Sequence, residues 1–394
     1  MFSPRLRGAA LAATCAVLTL PLLTACTDNA PGGTAEAAGN PRSITVQSTD
    51  TECLVSAATA PSGSLTFSVT NAGSKVTEFY LLAEDGLRIA GEVENIGPGI
   101  SRELVLTATP GTYFTACKPG MVGDGIRSGF AVSDSGEDLA PTGDQLALVN
   151  EANLNYQAYV KDQTEQLVTR TGAFVAAYKA GDDAEARARY PEARVHWERI
   201  ETVAESFGDL DPKMDLREAD LEPGQEWTGW HRLEKDLWPA RAKDYTALTR
   251  TERARYADDL MRNTDTLYDK TRGLTFTADQ IANGSRGLLD EVATGKVTGE
   301  EEYWSRTDLW DFQANVDGAR VGFDGLRPLL KQNNAALDTQ IDERFKALQA
   351  LLDEQRKGDG FKAYDEVSTA DIKDLSNAVN ALSEPLSKLA AAVV

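Results

Sequence analysis

The pattern of apolar positions changes its period between residues 133 and 146. Before that point, short segments alternate polar and apolar residues, as at 64–69, 103–107 and 111–116. A period of two is typical of strands that bury one face. Gly, Pro, Asn and Asp residues that favour turns separate these segments. The pattern therefore predicts a small β-sandwich over residues 44–132, followed by a linker at 133–145.

From residue 146 to 394 the apolar positions recur every three or four residues, which is the period of an amphipathic helix. One stripe joins Ile341 to Leu352, and another runs from Ile372 to Val393, where Pro385 is expected to kink the helix. Short breaker sequences occur at 181–183, 208–209, 223–224, 284, 295, 333–334 and 358–360. The segment is predicted to form seven or eight long helices packed as bundles.

The first 26 residues are expected to be a leader and not part of the fold. Arg5 and Arg7 precede an apolar run at 8–23, which is too short for a stable membrane span. The run ends in LTAC, which matches a bacterial lipobox with Cys26 as the lipidated residue. We expect a lipoprotein signal peptide at 1–26 and a flexible tether at 27–43. The alternative is an ordinary signal peptide with a chance cysteine.

This leader predicts an exported protein, anchored by lipid to the outer face of the cytoplasmic membrane, in the cell envelope or periplasm. The chain has 394 residues and a formal net charge of −21. Such a charge argues against nucleic acid as a partner, because phosphates are repelled. It is compatible with a cation as ligand.

Cysteine usage agrees with export. Without the leader cysteine Cys15 and the lipid site Cys26, only Cys53 and Cys117 remain. Two cysteines in an exported protein usually pair as a disulfide.

The candidate chemistry lies where both histidines of the chain occur, in residues 191–240. His231 and Glu234 are three residues apart, which places both on one face of a helix. Glu198 and Glu201 are expected to line one face of a separate helix. Carboxylates and imidazoles that converge between helices build the metal sites of di-iron bundles, and such ligands suit Fe, Mn and Zn. The alternative is that the His231/Glu234 pair and the glutamates at 198 and 201 lie on solvent-exposed helix faces and bind no metal.

Three long strings carry a resemblance to a known family: HWERIETVAESFGDLDPKMDLREAD, GQEWTGWHRLEKDLW and TGEEEYWSRTDLWDFQANVDGAR. They resemble the imelysin-type domain of the EfeO family of iron-uptake lipoproteins, over residues 146–394. The resemblance implies two four-helix bundles with a metal site between helices. The HxxE motif of the family matches His231 to Glu234. By position, the resemblance adds Glu198, Glu201 and Asp215 as ligands, and Glu301 and Asp308 as weaker contributors.

The N-terminal segment resembles the cupredoxin-like domain that precedes imelysin in the same family. The string CKPGMVGD, which starts at Cys117, is similar to the ligand loop of cupredoxins. Residues 44–132 contain no histidine, which excludes a normal blue-copper site. Two alternatives stay open, a Cys53–Cys117 disulfide or a copper or iron site built from Cys53, Glu78, Cys117 and Met121.

The resemblance implies a binding protein that captures ferric or ferrous iron and delivers it to a membrane iron permease, with a haem peroxidase as a further partner. Metal-dependent binding of an acidic polysaccharide is an alternative. A metallopeptidase is a weaker one, because a zincin needs two histidines on one helix and this chain offers one. A structural surface lipoprotein is the remaining alternative.

Overall fold

A computed structural model describes residues 40–86, 89–137, 143–221 and 223–393 of the chain. The predicted leader, Cys26 and the tether up to residue 39 lie outside these ranges, as do residues 138–142 of the predicted linker. No helix within the described ranges combines the length and the apolarity that a membrane span requires.

The first part of the fold is a sandwich of two β-sheets. Its strands are β1 (Ser43–Ser48), β2 (Cys53–Val55), β3 (Thr59–Pro61), β4 (Gly63–Asn71), β5 (Thr77–Leu82), β6 (Ile89–Ile96), β7 (Ser101–Ala108), β8 (Gly111–Cys117) and β9 (Ile126–Ser133). One sheet has the order β2-β1-β4-β7 and the other β3-β9-β8-β5-β6. Inward-facing residues alternate along β4, and the ring of Phe67 lies 5.2 Å from that of Phe79 and 5.5 Å from that of Phe130. The three segments with a period of two are all strands.

The second part is helical. Its helices are α1 (Gly143–Ala180), α2 (Asp183–Glu198), α3 (Leu210–Asp215), α4 (Trp230–Leu237), α5 (Arg250–Gly273), α6 (Ala278–Thr294), α7 (Asp308–Asp353), α8 (Thr369–Leu386) and α9 (Leu389–Val393). A short hairpin, β10 (Arg356–Lys357) and β11 (Gly360–Phe361), follows α7. Helix α1 packs on α2 and α5, whereas α6 packs on α7, α8 and α9, and α7 contacts both sets. The predicted fold class, an all-β sandwich before an all-α domain, is confirmed.

Of two predicted breakers inside the helical part, the one at Gly284 is wrong and the one at 333–334 is confirmed. Gly284 does not interrupt a helix but lies inside α6. Its backbone packs against the carbonyl of Thr202 so closely that a Cβ would collide with it, so the glycine serves packing. At the predicted breaker 333–334 the helix is interrupted, because the backbone of Asn334 leaves helical geometry (φ −154°, ψ 78°) within the span of α7.

Helix α6 also joins the sandwich to the helical part. The Asn283 amide donates a hydrogen bond of 2.7 Å to the carbonyl of Val105 in β7. Arg102 of β7 forms an ion pair of 2.8 Å with Asp290. The Val105 side chain is buried in the helical core and not in the core of the sandwich. One helix therefore contacts β7 and, through Gly284, the segment that carries Thr202.

Candidate metal centre

A buried arginine lies at the centre of a cluster of acidic side chains. Arg194 lies in the last turns of α2, and its side chain has no solvent exposure. Burial lowers the pKa of this guanidinium, but the surrounding carboxylates, Asp215 foremost, raise it well above its usual value. Its contacts are the carboxylates of Glu198, Asp215, Glu301, Glu302 and Asp311. The guanidinium thus gathers acids from α2, α3, α7 and the loop before α7.

Gly229, the residue before α4, sets the position of His231 and Glu234. Gly229 precedes the helix with φ +87°, a conformation that favours glycine. Its α-carbon lies so close to the backbone of Met214 that any side chain would collide. Because Met214 adjoins Asp215, this approach places the end of α3 beside His231 at the start of α4.

Both ring nitrogens of His231 face carboxylates. Nε2 lies 3.3 Å from Asp215 Oδ1 and 3.5 Å from Glu301 Oε1, yet no partner aligns with it as a hydrogen bond. Nδ1 lies 3.4 Å from Glu234 Oε2, with hydrogen-bond geometry, and 3.8 Å from Glu302 Oε1. The side chain of His231 is 1% exposed. Donor atoms of His231, Asp215 and Glu301 all lie within 4.8 Å of one another, which suits a single metal ion.

Glu234 is held from the opposite side by the loop that precedes α7. Its Oε1 accepts hydrogen bonds from the backbone N–H groups of Trp304 (2.8 Å) and Ser305 (2.6 Å). The same loop brings Glu301 and Glu302 against the imidazole of His231. The carboxylate of Glu234 therefore fixes both the loop and the orientation of the ring.

A second buried cation lies on the far side of the cluster. Lys296 is in a 3-10 turn after α6, and its ammonium lies 2.7 Å from Glu198 Oε2 and 2.6 Å from Glu201 Oε2. The Asn315 amide of α7 donates to the same two oxygens at 2.9 Å. Burial lowers the pKa of Lys296, but Glu198 and Glu201 raise it well above its usual value.

Acids outnumber cations in the cluster. Eight carboxyl groups of the described residues share it with the cations of Arg194 and Lys296. They belong to Glu198, Glu201, Asp215, Glu234, Glu301, Glu302, Asp308 and Asp311. An excess of buried negative charge is unfavourable unless protons or cations neutralise it.

The pKa shifts show where this excess is neutralised. Burial raises the pKa of Glu201, Glu302 and Asp311 well above the usual range, and that of Asp308 to about 7. Burial also opposes ionisation of Asp215, but Arg194 and His231 lower its pKa well below the usual value. The two groups that face Nε2 are ionised, since Lys296 and His231 likewise outweigh burial at Glu301 and lower its pKa to about 2.

The same neighbouring charges shift the pKa of the His231 imidazole. Burial and Arg194 lower its pKa, but contacts with Asp215, Glu234 and Glu301 outweigh them and raise it well above 6.5. Without a metal ion the ring is therefore a cation between carboxylates, and a metal ion that binds Nε2 replaces its proton.

The residues singled out from the sequence lie in this cluster, but on two sides of it. Asp215, Glu234 and Glu301 surround His231, whereas Glu198 and Glu201 hold Lys296. Asp308 accepts a hydrogen bond of 3.1 Å from the backbone N–H of Glu302.

The prediction that Glu198 and Glu201 share one helix is wrong. Helix α2 ends at Glu198, and Glu201 begins a 3-10 turn, Glu201–Phe207. The other histidine, His196, lies outside the cluster, where its Nδ1 is 2.8 Å from Gln163 Oε1.

Sequence reasoning missed several members of the cluster: Arg194, Lys296, Glu302, Asp311 and Asn315. Two signals were present in the sequence. Arg194 precedes Glu198 by one helical turn, the spacing of an ion pair. Asp308, Asp311 and Asn315 step by three and four on one face of α7, and all three are fully buried.

In the sandwich, the structure contains the disulfide and not the alternative metal site. Cys53 and Cys117 are bonded, with an S–S distance of 2.03 Å. In this state neither sulfur is a thiolate that binds a metal. Glu78 is buried and accepts a hydrogen bond of 2.7 Å from the Tyr80 hydroxyl, whereas Met121 is 42% exposed.

Comparison with known proteins agrees with the fold. The imelysin family matches residues 152–389. The iron uptake system component EfeO of Yersinia pseudotuberculosis serotype I (strain IP32953) is 37% identical over 358 residues, covering 90% of this chain and 92% of the relative. The protein of the same name from Escherichia coli O157:H7 is 38% identical over 353 residues, covering 88% and 90%.

The match over residues 152–389 defines an imelysin-domain protein. The chain belongs to the EfeO family of iron uptake system components, since the similarity to its members extends through the sandwich as well.

Proposed function

We propose that this chain is the extracytoplasmic iron-binding component of an EfeUOB-type uptake system, and that it binds iron at the cluster around His231. The observation that carries the proposal is the orphaned Nε2 of His231. A buried ring nitrogen without a hydrogen-bond partner, facing two ionised carboxylates, is an arrangement that a metal ion completes. The relatives are named for iron uptake, and iron accepts both imidazole and carboxylate ligands.

The ligand set we propose is His231 Nε2 with Asp215 and Glu301. These atoms converge without rearrangement of the helices. Glu234 then has an orienting role, because its hydrogen bond to Nδ1 selects the tautomer whose Nε2 is free to bind. Glu198 and Glu201 are engaged by Lys296 and are not ligands of the same ion.

The remaining steps of uptake are also proposals. Carboxylate ligands favour the harder ferric ion, which agrees with a partner haem peroxidase that handles oxidation. The chain would deliver its iron to a membrane permease. A lipid on Cys26, followed by the tether, would keep the folded part close to that permease.

We propose binding and not hydrolysis as the activity. A zincin places two histidines and a general base on one helix. Here α4 carries His231 alone, and His196 is engaged with Gln163 in another part of the fold. Both oxygens of Glu234 are held, by the imidazole and by two backbone N–H groups.

The run of three glutamates at 300–302 offers a matched test of the ligand set. Glu301 is 9% exposed and faces His231, whereas Glu300 is 50% exposed and pairs with Arg217. We expect Glu301→Gln to weaken equilibrium binding of ferric citrate iron by at least tenfold and Glu300→Gln to leave it unchanged. Equal affinities of the two variants would contradict the assignment of Glu301.

A further inference from the structure

The ligands of the proposed metal centre are buried, and Arg217 separates one of them from solvent. Because Asp215, His231 and Glu301 expose little of their side chains, an ion reaches them only if a neighbouring group moves. Arg217 is 28% exposed, and its Nη1 lies 3.8 Å from Oε2 of Glu301. The other oxygen of this carboxylate, Oε1, is the one that faces His231. Arg217 therefore covers Glu301 without occupying the atom that would bind the ion.

Arg217 also connects the two chain segments that carry the proposed ligands. It follows Asp215, the last residue of α3, by two positions. Its Nη1 lies 2.8 Å from Oε1 of Glu300, the residue before Glu301 in the loop that precedes α7. The ion pair between Arg217 and Glu300 thus holds the segment of Asp215 against the loop of Glu301.

The guanidinium of Arg217 has further carboxylate partners on its solvent side. Its Nε lies 2.7 Å from Oδ2 of Asp220, and the side chains of Asp220 and Glu300 are both exposed. Arg217 can therefore move away from Glu301 and keep Asp220 as its partner. Such a movement leaves no buried, unpaired guanidinium, and it needs only rotations of one long side chain.

The opposite side of the cluster is a less favourable route for a cation. Glu201 lines a cleft of about 430 Å³ between the strands β5 and β6 and the helical part. From Glu201 the contacts continue through Lys296 to Glu198, and from there through Arg194 to Asp215. Both cations on this path are buried, so they would repel an incoming ion and have no solvent to turn into.

We infer that Arg217 is the gate of the metal centre, meaning that iron enters and leaves past this side chain as it turns from Glu301 toward Asp220. The inference rests on the proposed function, since it takes His231, Asp215 and Glu301 as the iron ligands. Arg217 contacts the oxygen of Glu301 that faces away from the imidazole, so its closed position is the same with and without the ion. A group with equal contacts in both states changes the rates of entry and release but not the equilibrium.

The test compares the rate of iron release with the equilibrium affinity, both measured on the full-length chain. The chain is loaded from ferric citrate and mixed with excess EDTA, and the iron transferred to the chelator is followed over time. We expect Arg217→Gln to raise the rate constant of release by roughly fivefold, the effect of losing one ion pair, at unchanged Kd. Glu300→Gln should have the same effect. The control Arg255→Gln, which removes an exposed ion pair with Glu226, should change neither quantity.

The two gate variants change the net charge in opposite directions, which separates gating from electrostatics. Loss of the positive charge of Arg217 would by itself slow the release of a cation, and loss of the negative charge of Glu300 would speed it. Opposite shifts in the two variants, or a release rate of Arg217→Gln equal to that of the parent, would overturn the inference. A Kd weakened in proportion to the release rate would also overturn it, because Arg217 would then stabilise the bound ion.

A double variant tests whether the two substitutions act on one contact. Arg217→Gln combined with Glu300→Gln should release iron as fast as Arg217→Gln alone, and multiplied effects would contradict the gate. Failure of the proposed function is visible in the parent alone. A parent that binds no iron would overturn both the function and the gate, whereas a parent that binds iron, with release unchanged in Arg217→Gln, would overturn the gate only.

Discussion

His231 Nε2 lies 3.3 Å from Asp215 Oδ1 inside the protein, and the two atoms are not aligned as a hydrogen bond. The approach depends on Gly229, which allows the start of α4 to pack on the end of α3. Arg194 binds the same oxygen, Oδ1, and Trp197 Nε1 donates to Oδ2 at 2.7 Å. The carboxylate is therefore held in place, with one oxygen directed at the imidazole.

The orienting role of Glu234 predicts a graded effect. Glu234→Gln keeps a side chain of the same size but replaces an acceptor of the Nδ1 proton, so the ring loses its fixed tautomer. We expect one equivalent of metal to remain bound, with affinity lower by about 10–100-fold, as is usual for groups that orient a ligand. Isothermal titration would measure this. Complete loss of the equivalent would show that Glu234 is itself a ligand.

The contact between α6 and Thr202 predicts a difference between two glycines of the same helix. A Cβ at Gly284 would collide with the Thr202 carbonyl, whereas a Cβ at Gly287 meets no atom within 4 Å. We expect Gly284→Ala to lower the free energy of unfolding by roughly 1–3 kcal/mol through overpacking. Gly287→Ala should raise it by about 0.5–1 kcal/mol, the usual gain in a helix interior. Urea unfolding monitored by circular dichroism distinguishes the two, and equal effects would contradict the packing described.

His196 predicts a pH dependence that is independent of the metal site. Burial, together with Arg199 and Arg170, lowers the pKa of its imidazole to about 4. The unfolded chain has an ordinary value of about 6.5 and so binds more protons between these two values. The free energy of unfolding should therefore fall as the pH falls from about 6.5 to 4.

The comparison is between the parent and His196→Gln, each unfolded by urea at several pH values. The variant cannot take up this proton and should lose less stability across the window. Parallel curves for the two proteins would contradict the pKa assigned to His196.

The period of apolar residues was enough to predict the order of the strands and helices, because burial of one face imposes that period. It did not distinguish buried charges from exposed ones. Glu300, Glu301 and Glu302 are adjacent and chemically identical, yet their side chains are 50%, 9% and 0% exposed. The turn of the loop before α7 decides this difference, and it depends on contacts with α4 that are distant in sequence.

The same limit applies to Arg194 and Lys296. The sequence pointed to carboxylates near His231, but a positive side chain does not fit the pattern of a metal site. Only the tertiary structure shows that Lys296 holds Glu198 and Glu201, whereas Arg194 contacts the acids that face His231.

The central claim is that His231, Asp215 and Glu301 bind one iron ion. The most direct measurement is metal content and titration of the parent chain with ferric citrate, in parallel with His231→Ala and the control His196→Gln. We predict one equivalent in the parent and in His196→Gln, and none in His231→Ala at the same protein concentration. A parent that binds no iron, or a His231→Ala variant that binds as well as the parent, would contradict the claim.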